Sequence, residues 1–187
     1  MEVTGVINPA VNNVGTAIVP IQGNVARPTS NEERPLAVFR VAYDFIGAGK
    51  NIYAWGPRVG GRLPLATMLE GQAKIHGYTV MRINPGIARE ACSRKRGADQ
   101  LREKIISAQL VIVENCDSEL ISGDDFLRVL FILSWRQDKS TAILSDIPFP
   151  VMQNTLAEHY CHWGFNSIAQ LYSFYQNSYE IILTGSF

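Results

Sequence analysis

The sequence predicts an α/β domain: a mostly parallel sheet with helices on both faces. Three observations lead there. Short apolar runs at 51–55, 78–83, 110–113 and 141–144 alternate with longer stretches of helical periodicity. Leu110-Val111-Ile112-Val113 is apolar without a break, as a parallel strand covered on both faces requires. A glycine-bearing segment, Gly56 to Leu63, falls between a predicted strand and a predicted helix.

Residues 1–34 are rich in Gly, Pro, Asn, Thr and Val and are expected to form a flexible arm. The apolar pieces around Val19-Pro20-Ile21 are either mobile or docked on a sheet edge. The domain proper is expected over 35–187. Leu36, Phe39, Val41, Tyr43 and Phe45-Ile46 suit a helix that stops at Gly47-Ala48-Gly49. A strand at 51–55 then runs into the glycine loop. Pro64 to His76 reads as a helix ended by Gly77, and Tyr78 to Ile83 as a strand. Pro85-Gly86 is expected to turn, with a basic stretch after it (Arg89, Arg94, Lys95, Arg96). Helices are expected at Ala98–Ser107, Asp124–Arg136, Pro148–Tyr160 and Ser167–Tyr175, and a last strand at Tyr179–Leu183.

A chain of 187 residues is one domain of ordinary size. Its 17 basic and 17 acidic side chains balance, so no global field draws it to nucleic acid or to an anionic membrane. Cys92, Cys116 and Cys161 form neither a paired framework nor a C-x-x-C motif, and no secretory signal is recognisable. A reduced cytoplasmic setting is the expectation. No apolar run approaches the ~20 residues of a membrane-spanning helix.

Gly56-Pro57-Arg58-Val59-Gly60-Gly61-Arg62-Leu63 has the glycine spacing of a phosphate-binding loop, which asks for glycine, four residues, glycine, lysine and a hydroxyl residue. Arg62 stands at the lysine position and Leu63 at the hydroxyl position. The alternative is a strand-to-helix turn in which glycine supplies a positive φ. Leu110 to Asn115 has the form of a Walker B strand, with Glu114 and Asn115 where an ATPase uses carboxylates. Leu144-Ser145-Asp146-Ile147-Pro148 and His162-Trp163-Gly164-Phe165 follow, and Ile121-Ser122-Gly123-Asp124 with Leu130-Phe131-Ile132-Leu133 lies between.

Over roughly residues 36–165 these elements resemble, in order and spacing, the AAA+ P-loop ATPase domain of the DnaA/Hda-like replication initiator family. The resemblance implies a P-loop NTPase fold, with ATP or ADP held at Gly56, Gly60, Gly61 and Arg62. It makes Glu114 and Asn115 a degenerate Walker B pair and Asp146 a sensor-like residue, unless Asp146 merely caps the next helix. The family's finger arginine falls on Tyr160. Leu63 offers magnesium no oxygen, Asn115 is no base, and Arg62 brings a planar fork in place of a point charge, so magnesium binding is expected to be weak or absent. No counterpart of the family's DNA-binding domain is expected, its lid and sensor arginine are expected to be shortened or absent, and Gln22-Gly23-Asn24-Val25 lacks the apolar residues of a clamp-binding peptide.

The implied role is a pseudo-ATPase that regulates or loads in DNA replication by contact with an initiator, helicase or clamp. Two rivals stand beside it: a weakly active ATPase or helicase-loader-like protein, and a purely structural interaction module. Arg89, Arg94, Lys95 and Arg96 read either as a solvated loop or as a DNA-contacting surface. His159, Cys161 and His162 are too few for a metal centre, and no metal site is expected. The aromatics Tyr172, Phe174, Tyr175 and Phe187 point to self-association or a protein partner.

Overall fold

The computed structural model of this chain describes residues 16–20, 45–93, 95–117, 124–136, 138–159 and 165–184. In chain order these form β1 (Thr16–Pro20), β2 (Asn51–Trp55), a π-helical turn (Arg58–Arg62), α1 (Leu63–Ile75), β3 (Val80–Ile83) and α2 (Pro85–Ala91). There follow α3 (Ala98–Ser107), β4 (Leu110–Cys116), α4 (Asp124–Ser134), β5 (Ser140–Ser145), α5 (Phe149–His159), α6 (Phe165–Gln176) and β6 (Ser178–Thr184).

The six strands make one sheet in the order β1-β6-β2-β5-β4-β3, with every pairing parallel. The expected α/β architecture is met, and the sheet is parallel throughout its described strands. Alternation along the strands sends side chains to two cores. Ile52, Ala54, Leu110, Ile112, Ala142, Leu144 and Ile181 pack against α1 (Leu65, Ala66, Leu69, Ala73) and against Phe45, in a helical turn at 45–47. Tyr53, Ile83, Val111, Val113 and Ile143 face the other way, towards α2 to α6. On that side Phe149 and Tyr175 stack with ring centroids 3.7 Å apart, and Tyr53 meets both edge-on.

Of the two expectations for the 1–34 segment, the docked one describes Thr16–Pro20. These five residues add β1 to the flank of β6, with Ile18 opposite Ile182. The rest of that segment, and most of the helix expected from Leu36, lie outside the described residues. One local expectation is corrected. Pro85-Gly86 does not turn into a loop but opens α2, because Asn84 accepts a hydrogen bond from the Ile87 amide (2.9 Å) and Pro85 takes the first helical position. Arg89 therefore projects from a helix.

The C-terminus of α3 is closed from outside. Arg136, just beyond α4, is 3% exposed. It donates to the carbonyls of Ile105, Ala108 (2.8 Å) and Ser140 (2.7 Å) and to the Thr141 hydroxyl (3.1 Å). Lys139 adds bonds to the carbonyls of Ile106 and Ser107. Cations at a helix C-terminus satisfy carbonyls the helix cannot and complement its dipole. Burial pushes the Arg136 guanidinium down to about 10, so it stays charged at neutral pH. No described helix is long and apolar enough to cross a membrane.

Candidate functional site

A parallel sheet brings all its strand C-termini to one rim. β2 is flanked by β5 and β6, so chain order switches direction beside it, and ligands of open α/β sheets bind at such a switch point. Gly56 to Leu63 sits on this rim. The Gly56 amide donates to the Ser145 carbonyl at the end of β5 (3.1 Å), which fixes where the loop starts.

The two glycines whose surroundings are described are there for space. Gly56 has φ +145°, and a Cβ on it would lie 2.3 Å from the Leu183 carbonyl oxygen of β6. A Cβ on Gly61 would lie 3.3 Å from Cβ of Leu183. Gly60 lies within the π-helical turn. The Arg62 amide donates to the Pro57 carbonyl (3.0 Å), and the Leu63 amide to that of Arg58. The amides of Arg62 and Leu63 are thus spent within the chain, whereas a phosphate cradle needs its amides pointing outward.

Arg62 is 6% exposed and forms an ion pair with Asp117, the residue that follows β4. Among the described residues its buried Nε has no hydrogen-bond partner. Leu63 beside it is 55% exposed. β4 reaches Asp117 through a register shift between Val113 and Cys116, at which Asn115 takes a left-handed φ of 56°. The Ser145 hydroxyl then donates to the Cys116 carbonyl (2.8 Å), pinning the end of β4 to β5. Burial pushes the Cys116 thiol well up, and the Asp117 charge pushes the same way.

Glu114 faces the α1 side, where Arg82 of β3 bonds it and also Glu70 of α1 (3.2 Å); Lys74 in turn bonds Glu70 (2.6 Å). The cation that Glu114 attracts is therefore a side chain of its own sheet. Glu114, and then Glu70, hold the Arg82 guanidinium above its ordinary range. Asp146 is half-buried on the same rim, close enough that its charge raises the Cys116 thiol and the Tyr53 phenol, though burial is the larger cause for both. Also on the rim, the Trp55 indole donates to Glu180 of β6 (3.0 Å).

Arg89, Lys95 and Arg96 are exposed at and after the end of α2, away from Arg62 in sequence and on separate elements. Arg94, Tyr160, Cys161 and His162 lie outside the described residues, as does the side chain of His159. A cavity of about 280 Å³, lined by Asn51, Arg136, Thr141, Ser173 and Asn177 among others, opens at the opposite rim, where the strands begin. It is remote from the loop and plays no part in the site.

Nucleoside triphosphate with magnesium is the group this loop implies. The residues fit it in one respect only: a buried guanidinium with an unsatisfied Nε is a seat for an anion. They do not fit the metal, because Leu63 carries no oxygen and Glu114 is already engaged by Arg82. Sequence reasoning missed Asp117 and Arg82. The signal for Arg82 was a lone charge inside the apolar run Val80-Met81-Arg82-Ile83; Asp117 gave none, since its partner is 55 positions away.

Neither protein-family models nor curated proteins match this chain. Solved structures do match it in fold. A DNA replication initiation factor matches at TM-score 0.55 and 14% identity, over 95% of this chain and 50% of that one. DnaI matches at TM-score 0.60 and 16% identity, over 90% and 95% of the two chains. AMPPCP-bound DnaA from Aquifex aeolicus matches at TM-score 0.56 and 18% identity, over 82% and 48%. The chain spans about half the length of the initiation factor and of DnaA, and nearly all of DnaI. At these identities the likeness is one of fold alone.

Proposed function

We propose that this chain is a catalytically degenerate, DnaA/Hda-like AAA+ domain that acts in the initiation of DNA replication, or in its regulation, through protein–protein contacts. The observation that carries the loss of catalysis is Arg62: at the lysine position, its guanidinium is buried against Asp117 instead of facing a phosphate. Leu63, the engagement of Glu114 by Arg82, and Tyr160 at the finger position point the same way. Losing one group of this kind typically costs ~10²-fold or more in rate, and here several are lost together. The fold shared with a replication initiation factor, with DnaI and with DnaA supports the replication setting.

The partner is a replication protein: an initiator, helicase or clamp. Arg89, Arg94, Lys95 and Arg96 offer a secondary contact for DNA, whose mark would be binding that weakens steeply with salt. Calorimetry with ATP and ADP, with and without magnesium, tests the pseudo-ATPase reading. The expected result is no heat of binding corresponding to a Kd below about 100 µM, and no phosphate release. Magnesium-dependent turnover that disappears in Glu114→Gln would overturn it. The replication role is tested by surface binding of the purified chain to initiator, replicative helicase and sliding clamp in turn; no binding to any of them would remove it.

A further inference from the structure

We infer that Asp117 is a built-in stand-in for phosphate: its carboxylate occupies the anion seat of Arg62 and so keeps phosphate-bearing ligands out of the loop. This inference rests on the pseudo-ATPase reading above and supplies its physical cause.

A guanidinium as deeply buried as Arg62 requires an anion or several neutral acceptors close by. The chain provides a carboxylate from the residue after β4, a position made accessible by the register shift and the left-handed Asn115 at the end of that strand. The match is incomplete. A carboxylate reached from one side takes a terminal N–H of Arg62 and leaves the buried Nε without a partner, although a guanidinium fork can meet two oxygens at once. A phosphate, with three or four acceptor oxygens, is the chemical class that would satisfy both. Gly61, the residue before the seat, also belongs to a phosphate-loop spacing. The seat is therefore built for an anion, and an internal one is sitting in it.

The engagement is also self-limiting for nucleotide. A triphosphate arriving at the rim would have to displace Asp117 and then bear its repulsion, because 27% of that side chain is exposed towards solvent and the carboxylate would remain near the ligand.

The test is Asp117→Asn, which keeps the size of the side chain and removes its charge. Inorganic phosphate, ADP and ATP are titrated into the full chain and into the variant, with melting temperature and calorimetric heat as readouts. The expected result is at least ~10-fold tighter binding of phosphate and ADP by the variant than by the parent, about 1.4 kcal/mol, and a phosphate-dependent rise in its melting temperature. Both gains are expected to vanish in Arg62→Met/Asp117→Asn. A folded Asp117→Asn that responds to phosphate no more than the parent overturns this inference and leaves the pseudo-ATPase reading standing. A parent chain that itself binds ATP below about 100 µM overturns this inference, while the loss of catalysis is decided by the turnover assay. If Asp117→Asn does not fold in plain buffer, recovery of its circular-dichroism signal by phosphate, at concentrations that leave the parent unchanged, supports the inference, and failure to recover overturns it.

Discussion

Two arginines are buried at opposite rims of the same sheet, and the chain treats them differently. Arg136, where the strands begin, places four of the five N–H groups of a guanidinium on neutral acceptors, and it joins the end of α3 to the start of β5. Arg62, where the strands end, meets one carboxylate among the described residues and leaves Nε without a partner there. The first is satisfied by three backbone carbonyls and a hydroxyl that it ties together, so it completes the fold. The second is under-satisfied at the rim where α/β proteins bind ligands, a condition native structures tolerate at functional sites more readily than in cores.

The contrast breaks first at Arg136. Arg136→Met leaves the carbonyls of Ile105, Ala108 and Ser140 buried without that donor, and urea denaturation is expected to register a loss of about 3–4 kcal/mol. A loss under ~1 kcal/mol would mean that water replaces the guanidinium and that it is no keystone. At the loop rim the largest effect belongs to Gly56→Ala, where the added Cβ meets backbone at a φ that side chains rarely adopt. About 2–4 kcal/mol is expected there, against less than ~1 kcal/mol for Gly61→Ala, whose neighbour is the Leu183 side chain. Equal losses at the two glycines would contradict the close approach of β6.

Next comes the asymmetry of the ion pair. Asp117→Asn leaves a buried cation and is expected to cost about 2 kcal/mol, below the ~3–5 kcal/mol of a fully enclosed pair because Asp117 keeps a solvent-facing edge. Arg62→Met strands only the more exposed partner and is expected to cost ~1 kcal/mol or less. Thermal melts of both variants and of the double variant give the coupling directly. The smallest effect is acidic. Lys74, and then Arg82, hold the Glu70 carboxyl below its ordinary value of 4.5. A carboxyl lowered in the folded state contributes stability that is fully present above that ordinary value and is lost as pH falls through the folded one. Glu70→Gln should therefore flatten the acid limb below about pH 4.5 by less than ~1 kcal/mol, with no change at neutrality.

Much of the fold was legible because parallel strands buried on both faces read as apolar runs, and β2, β4, β5 and β6 carry such runs. The bounds expected for α3, Ala98 to Ser107, are those observed. α2 was missed although its signal was present: Asn84 followed by Pro85 is a cap followed by a first-turn proline, but Gly86 drew the reading towards a turn. In the candidate site, the spacing of Gly56 to Leu63 located the loop without locating the partners of its side chains. Asp117 and Arg82 act across strands, through pairings that depend on sheet order, and a linear pattern does not encode which strand end lies beside which. Asn115 drew notice for lacking a carboxylate; its left-handed φ, which redirects the end of β4, has no sequence signature beyond the tolerance of asparagine for that region.

The placement of β2 between two of the last strands also bears on how the molecule is made. Its neighbours are β5 and β6, and the bond from Lys50 to Asn177 closes a span of 127 positions. The floor beneath Gly56 and Gly61 is Leu183. On the ribosome, the central strand and the loop it carries must wait, unpaired on one side, until β6 has emerged. Long-range parallel pairing of this kind is slow and leaves edges open in the interval. The rim that holds Arg62 and Asp117 is thus expected among the last parts of the domain to assemble.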